Sequence, residues 1–85
     1  MDTKYEYFFS NVEFKKSFGL GVAKLRRKKG LSVEKLALKV GVTPKSIKAV
    51  EKGESSPKVT LLHRLLIVLE ATYDDIINHD KKKVH

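Results

Sequence analysis

Residues 32–53 read SVEKLALKVGVTPKSIKAVEKG, and this stretch decides the fold. Ser32 is an N-cap candidate, and Val33, Leu36, Ala37 and Val40 recur at helical spacing until Gly41, which suits a left-handed C-terminal cap. The spacing predicts a helix over about 33–40. Thr43 then caps a second helix whose first position is Pro44, where a missing N–H costs nothing. Ile47 and Val50 face inward and Gly53 closes this helix, predicted over about 44–52.

Upstream, Ser10 and Glu13 have capping-box spacing, and Phe14, Phe18, Val22 and Leu25 form one apolar stripe of a helix over about 12–29 that ends at Gly30. Gly19 and Gly21 each cost about 1 kcal/mol against Ala inside it, so this helix is expected to start late or to approach another backbone closely. Downstream, Ser56 is expected to cap a helix over about 57–70 with Pro57 in its first turn, and Val59, Leu62, Leu65, Leu66 and Leu69 are expected to bury one face. Thr72 and Asp75 repeat the capping-box spacing ahead of Ile76 and Ile77, giving a last helix over about 73–78. The fold class is therefore all-α, with five short helices in one domain over 12–78. An aromatic arm over 1–11 (Tyr5, Tyr7, Phe8, Phe9) precedes it, compatible with a short strand or a packed arm, and a charged tail over 79–85 follows.

Eighty-five residues suffice for one hydrophobic core, which excludes a multi-domain enzyme. With no Cys, disulfides, thiolate zinc sites and Cys nucleophiles are absent, so stability has to come from packing or dimerisation. His63, His79 and His85 lack metal-ligand spacing, so neither a metal nor a cofactor is expected. Gly19-Leu20-Gly21 lacks the third glycine of a dinucleotide loop, and Pro44-Lys45-Ser46 lacks the upstream glycine of a phosphate loop. No catalytic residue is expected. No run approaches the ~20 apolar residues of a membrane span, and the start MDTKYEY lacks the order of a secretory signal, so a cytoplasmic, nucleoid-associated location is expected. The basic end of the first helix, Arg26 to Lys29, suits a membrane surface poorly because the core needs that helix's apolar stripe.

Net charge is +8, and it is unevenly placed. Between Gly19 and Leu69, twelve Lys or Arg face three acids (Glu34, Glu51, Glu54), a net of +9, while the flanks carry −1. The positive field thus belongs to a folded surface, whose natural partner is a polyanion such as double-stranded DNA. Two short helices joined by a tight turn, the second opened by Thr-Pro and rich in lysine, form a helix-turn-helix, whose second helix fits the major groove.

The stretch LRRKKGLSVEKLALKVGVTPKSIKAVEKGESSPKVTLLHRLLIVLEAT, residues 25–72, closely resembles the Cro/phage-repressor (Xre-type) family, and the resemblance extends without a gap over about 18–77. It implies a five-helix, lambda-repressor-like DNA-binding fold that acts as a dimer on an inverted repeat in transcription regulation, here most simply as a repressor of its own gene. It further implies that Arg26 and Glu51 form a buried ion pair tying the third helix to the first. Base contacts are expected from Pro44, Lys45, Lys48 and Ala49: lysines suit guanine O6 and N7, Pro44 and Ala49 suit thymine methyls, and phosphate contact is the alternative for the two lysines. Phosphate contacts are expected from helix N-termini: Ser32, Val33 and Glu34, then Thr43 and Ser46, then Ser55, Ser56 and Lys58. Two departures stand out. Val33 occupies a position where many members have Gln, and Glu70 one where relatives usually end the fourth helix with Gly.

Leu65 to Leu69 is more apolar than one buried face requires, and relatives usually carry polar or small residues at Leu61, Ile67 and Val68. Either the aromatic arm or a second protomer covers this surplus; a homodimer through Leu61, Ile67, Val68, Ile76 and Ile77 is the favoured expectation. The alternative from another class is an antitoxin or a restriction-modification controller that also binds a protein partner, a toxin or the transcription machinery, through the arm and the HDKKKVH tail.

Overall fold

The helices follow in the order α1 (Val12–Lys28), α2 (Val33–Val40), α3 (Pro44–Glu51), α4 (Val59–Leu69) and α5 (Tyr73–Ile77), and α2, α3 and α5 begin at side-chain caps. The computed structural model describes residues 12–78. The expected aromatic arm, the Ser10 half of the first capping box and the charged tail with His79 and His85 lie outside the described residues.

Ser32 Oγ accepts the Lys35 amide at 3.0 Å, satisfying one orphan donor of α2. Gly41 ends that helix at φ 88°, a conformation that penalises a Cβ, and its N–H reaches the Ala37 carbonyl at 2.8 Å. Thr43 Oγ1 accepts the Ser46 amide at 3.2 Å, with Pro44 in the first position of α3. At α5 the capping box is complete: Asp75 N–H donates to Thr72 Oγ1 at 3.0 Å and Thr72 N–H to Asp75 Oδ2 at 2.9 Å. Because Thr72 donates its amide and its hydroxyl faces the same group, the Asp75 carboxyl is held below the usual carboxylate range.

α4 corrects the expectation. It starts at Val59, with Lys58 as an N-cap that makes no side-chain capping bond. Lys58 holds extended backbone (φ −71°, ψ 161°), which leaves Ser56 two residues too early to cap the helix. Val59, expected to be inside, is 78% exposed because it opens the first turn. The helix ends at Glu70, a non-glycine residue at φ 54°, whose carboxylate accepts Lys29 Nζ at 2.6 Å. That hydrogen bond also holds the Glu70 carboxyl below its ordinary value.

One core joins the five helices: Phe14, Phe18 and Val22 of α1, Leu36, Ala37 and Val40 of α2, Ile47 and Val50 of α3, Leu65 and Leu69 of α4, and Ile76 of α5. Each large side chain contributes about 1.5–3 kcal/mol by leaving water. Phe14 and Phe18 stack at 5.9 Å between centroids, and Tyr73 lies 6.3 and 6.4 Å from them, which anchors α5 on α1. Both unusual α1 glycines prove to be close-approach positions. A Cβ at Gly19 would overlap the carbonyl oxygens of Val50 and Glu51, and one at Gly21 the carbonyl of Ile76. Ile76 is accordingly fully buried inside the protomer, which removes it from the expected dimer interface. Ile67 is 62% exposed, whereas Leu61, Val68 and Ile77 are half-buried against the core.

Candidate nucleic-acid interface

α3 is eight residues long and amphipathic, so burying Ile47 and Val50 turns a defined set of side chains outward. Pro44, Lys45, Lys48 and Lys52 are exposed on that face, with Ala49 half-buried at its edge. Ser46 is half-buried, and its hydroxyl lies 3.2 Å from Thr43 Oγ1. The expected base-reading residues therefore share one face. Lys52, absent from the sequence expectation, joins them one turn beyond Lys48. Its signal, the i, i+4 spacing from Lys48, was present in the expected helix over about 44–52. None of the three lysines makes an ion pair among the described residues.

What holds this face in position is a partly buried clamp at the other end of α3. Arg26 Nε donates to Glu51 Oε2 at 2.7 Å and Arg26 Nη2 to Glu51 Oε1 at 3.0 Å, the two-pronged geometry that the planar guanidinium fork makes with a carboxylate. Both side chains are 11% exposed. The third prong, Nη1, donates to the Leu31 carbonyl at 2.9 Å, so Arg26 ties the end of α3 to α1 and to the turn before α2. Hydrogen bonding to Glu51 raises the guanidinium further above its already high value, and Arg26 is charged at every relevant pH. A second tether was not legible in sequence. Arg64 of α4 donates through Nη1 to the carbonyl of Val40, the last residue of α2, at 3.3 Å, beside Gly41 in the turn. A cation at a helix C-terminus also complements the helix dipole.

The expected phosphate contacts fall at three helix starts. At α2, Ser32 and Glu34 are exposed, while Val33 is packed against the core and has only its main-chain N–H to offer. At α3, Thr43 is exposed. At α4, Ser55 and Lys58 are exposed, Ser56 is half-buried, and Lys58 makes no side-chain capping bond. Backbone N–H groups and the dipole at such ends attract anions. His63 is exposed. Among the described residues no cluster of His, Asp or Glu could hold a metal ion. No helix among them is long and apolar enough to cross a membrane.

Known proteins share this arrangement. A family model described as helix-turn-helix matches residues 22–76. An uncharacterised HTH-type transcriptional regulator of Methanothermobacter thermautotrophicus is 50% identical over 40 residues, 47% of this chain and 58% of the relative. Another from Archaeoglobus fulgidus is 32% identical over 63 residues, 74% of this chain and 90% of the relative. Among solved structures, an HTH_3 family transcriptional regulator from Vibrio cholerae superposes with a TM-score of 0.74 at 30% identity over 85% of this chain, which spans 40% of that protein. The clp gene regulator ClgR from Corynebacterium glutamicum superposes with a TM-score of 0.73 at 22% identity, covering 81% of this chain and 73% of that one, a likeness of fold.

Proposed function

The chain belongs to the helix-turn-helix family, and on that premise we propose that it is a transcriptional regulator, not an enzyme, that binds double-stranded DNA sequence-specifically with α3 in the major groove. The observation that carries the reading is the outward face of α3, which presents Pro44, Lys45, Lys48 and Ala49 on a helix that Thr43 caps and Arg26–Glu51 clamps; in this reading those four residues contact the bases. Helix starts at Ser32–Glu34, Thr43–Ser46 and Ser55–Lys58 take phosphates and fix the register. The protein acts as a dimeric repressor on an inverted repeat in its own promoter, in the cytoplasm on the nucleoid. Exposed Ile67, with half-buried Leu61, Val68 and Ile77, forms the dimer contact. A two-fold dimer presents two recognition helices one DNA turn apart, about 34 Å.

Selection from a randomised duplex library at ~150 mM salt tests this, because sequence-independent phosphate binding is weak there. Enrichment of an inverted repeat with half-sites about 10 base pairs apart supports the reading. Failure to enrich any sequence sinks it. A second reading, an antitoxin or restriction-modification controller that also holds a protein partner, is favoured by the exposed Leu20 (55%) of α1 and Leu38 (80%) of α2, neither of which is among the proposed dimer-contact residues. Stable co-purification with the product of a neighbouring gene distinguishes it.

A further inference from the structure

The outward face of α3 carries hydrogen-bond donors and apolar surface, and no carboxylate or amide side chain. Lys45, Lys48 and Lys52 each present an ammonium, which has three N–H donors and no lone pair. Pro44 and Ala49 present carbon. Both Glu51 carboxylate oxygens receive Arg26, and the hydroxyls nearest this face, Thr43 and Ser46, hydrogen-bond each other while Thr43 Oγ1 also receives the Ser46 amide. Glu34 sits on the first turn of α2, and Glu54 lies in the turn that follows α3.

The major groove presents each base differently. Guanine offers two acceptors, O6 and N7; thymine offers O4 and a methyl group; adenine offers a single N7 acceptor beside its N6 amine, and cytosine an N4 amine, and each amine calls for an acceptor. An ammonium set against adenine N6 or cytosine N4 brings donor against donor and leaves both unpaired. Lys45 and Lys48 stand three residues apart on one side of α3, less than one 5.4 Å turn along the axis, so their ammoniums can address neighbouring base pairs. We infer that the half-site under α3 is read as a strand of guanines and thymines: guanine O6 and N7 accept from Lys45 and Lys48, thymine methyls pack on Pro44 and Ala49, and no adenine or cytosine is recognised through its amine. This rests on the proposed placement of α3 in the major groove and assigns the operator its chemical class.

The test starts from the selected duplexes and measures binding by fluorescence anisotropy on the full chain. Replacing a lysine-read guanine with adenine lowers affinity on the order of 10-fold. Exchanging that guanine for 7-deazaguanine, which lacks the N7 acceptor, also weakens binding. Exchanging a contacted thymine for uracil, which lacks only the methyl, costs about 4-fold. Lys48→Gln, on an exposed position that leaves the core untouched, adds an acceptor and shifts one preferred base from guanine to adenine. Indifference to 7-deazaguanine and to uracil at every constrained position, together with an unchanged preference in Lys48→Gln, overturns the inference and leaves sequence-specific DNA binding standing. A library that enriches nothing removes the proposed function and the inference with it.

Discussion

Glu51→Ala removes the carboxylate that neutralises Arg26, and the structure sets the size of the loss. Two charge-assisted hydrogen bonds, at 2.7 and 3.0 Å, disappear together, and such bonds contribute about 1.5–3 kcal/mol each. Removing one partner of a fully buried pair costs about 3–5 kcal/mol, mostly because the other charge is left desolvated. Here both side chains are 11% exposed and Arg26 keeps its bond to the Leu31 carbonyl, so the lower end applies, about 3 kcal/mol. For a domain of this size each kcal/mol lowers Tm by about 4–8 °C, so Tm falls by roughly 12–24 °C. Far-UV circular dichroism melts and urea unfolding measure it, with the urea slope unchanged if the native state stays compact. Two controls sharpen the reasoning. The loss persists at 0.5 M salt, on the order of ten times a dilute buffer, because a desolvated pair is poorly screened. Arg26→Met combined with Glu51→Leu recovers most of the stability, since apolar replacement of both partners removes the stranded charge. A Tm within about 2 °C of the parent in Glu51→Ala would refute the clamp as the element that holds α3.

Three further outcomes follow from the packing, the caps and the charge. Gly19→Ala is expected to lower Tm even though Ala is the better helix former by about 1 kcal/mol, because its Cβ meets the carbonyls of Val50 and Glu51; a rise in Tm in a thermal melt contradicts the close approach. The carboxyls of Asp75 and Glu70 are both depressed in the folded protein, so their contribution is present above the ordinary carboxylate range and lost as pH falls through their folded values. Stability is therefore expected to fall below about pH 4, and Asp75→Asn with Glu70→Gln should flatten that limb in acid melts; an unaltered slope rejects the assignment. Lys48→Ala is expected to relax base preference with a small change in salt dependence; uniform weakening on all sequences with a salt slope lower by about 1 marks a phosphate contact instead.

What the sequence determined by itself were features that depend on residues within one turn of each other. The caps at Ser32, Thr43 and Thr72 and the left-handed close at Gly41 are such features, and all are present at the expected residues. The lysine face of α3 was legible for the same reason, since burying Ile47 and Val50 sends Lys45 and Lys48 outward. The Arg26–Glu51 pair, 25 residues apart, came from family resemblance, because no local rule links those positions. The start of α4 was misplaced because Ser56 and Pro57 resemble a helix start, while Lys58 keeps the chain extended until Val59. Ile76 looked like surplus apolar surface until α5 docked against Gly21, and Arg64 became a tether only when α4 lay beside the end of α2. Such contacts arise from how helices cross, and crossing depends on the volume of every side chain between them, which no window of a few residues contains.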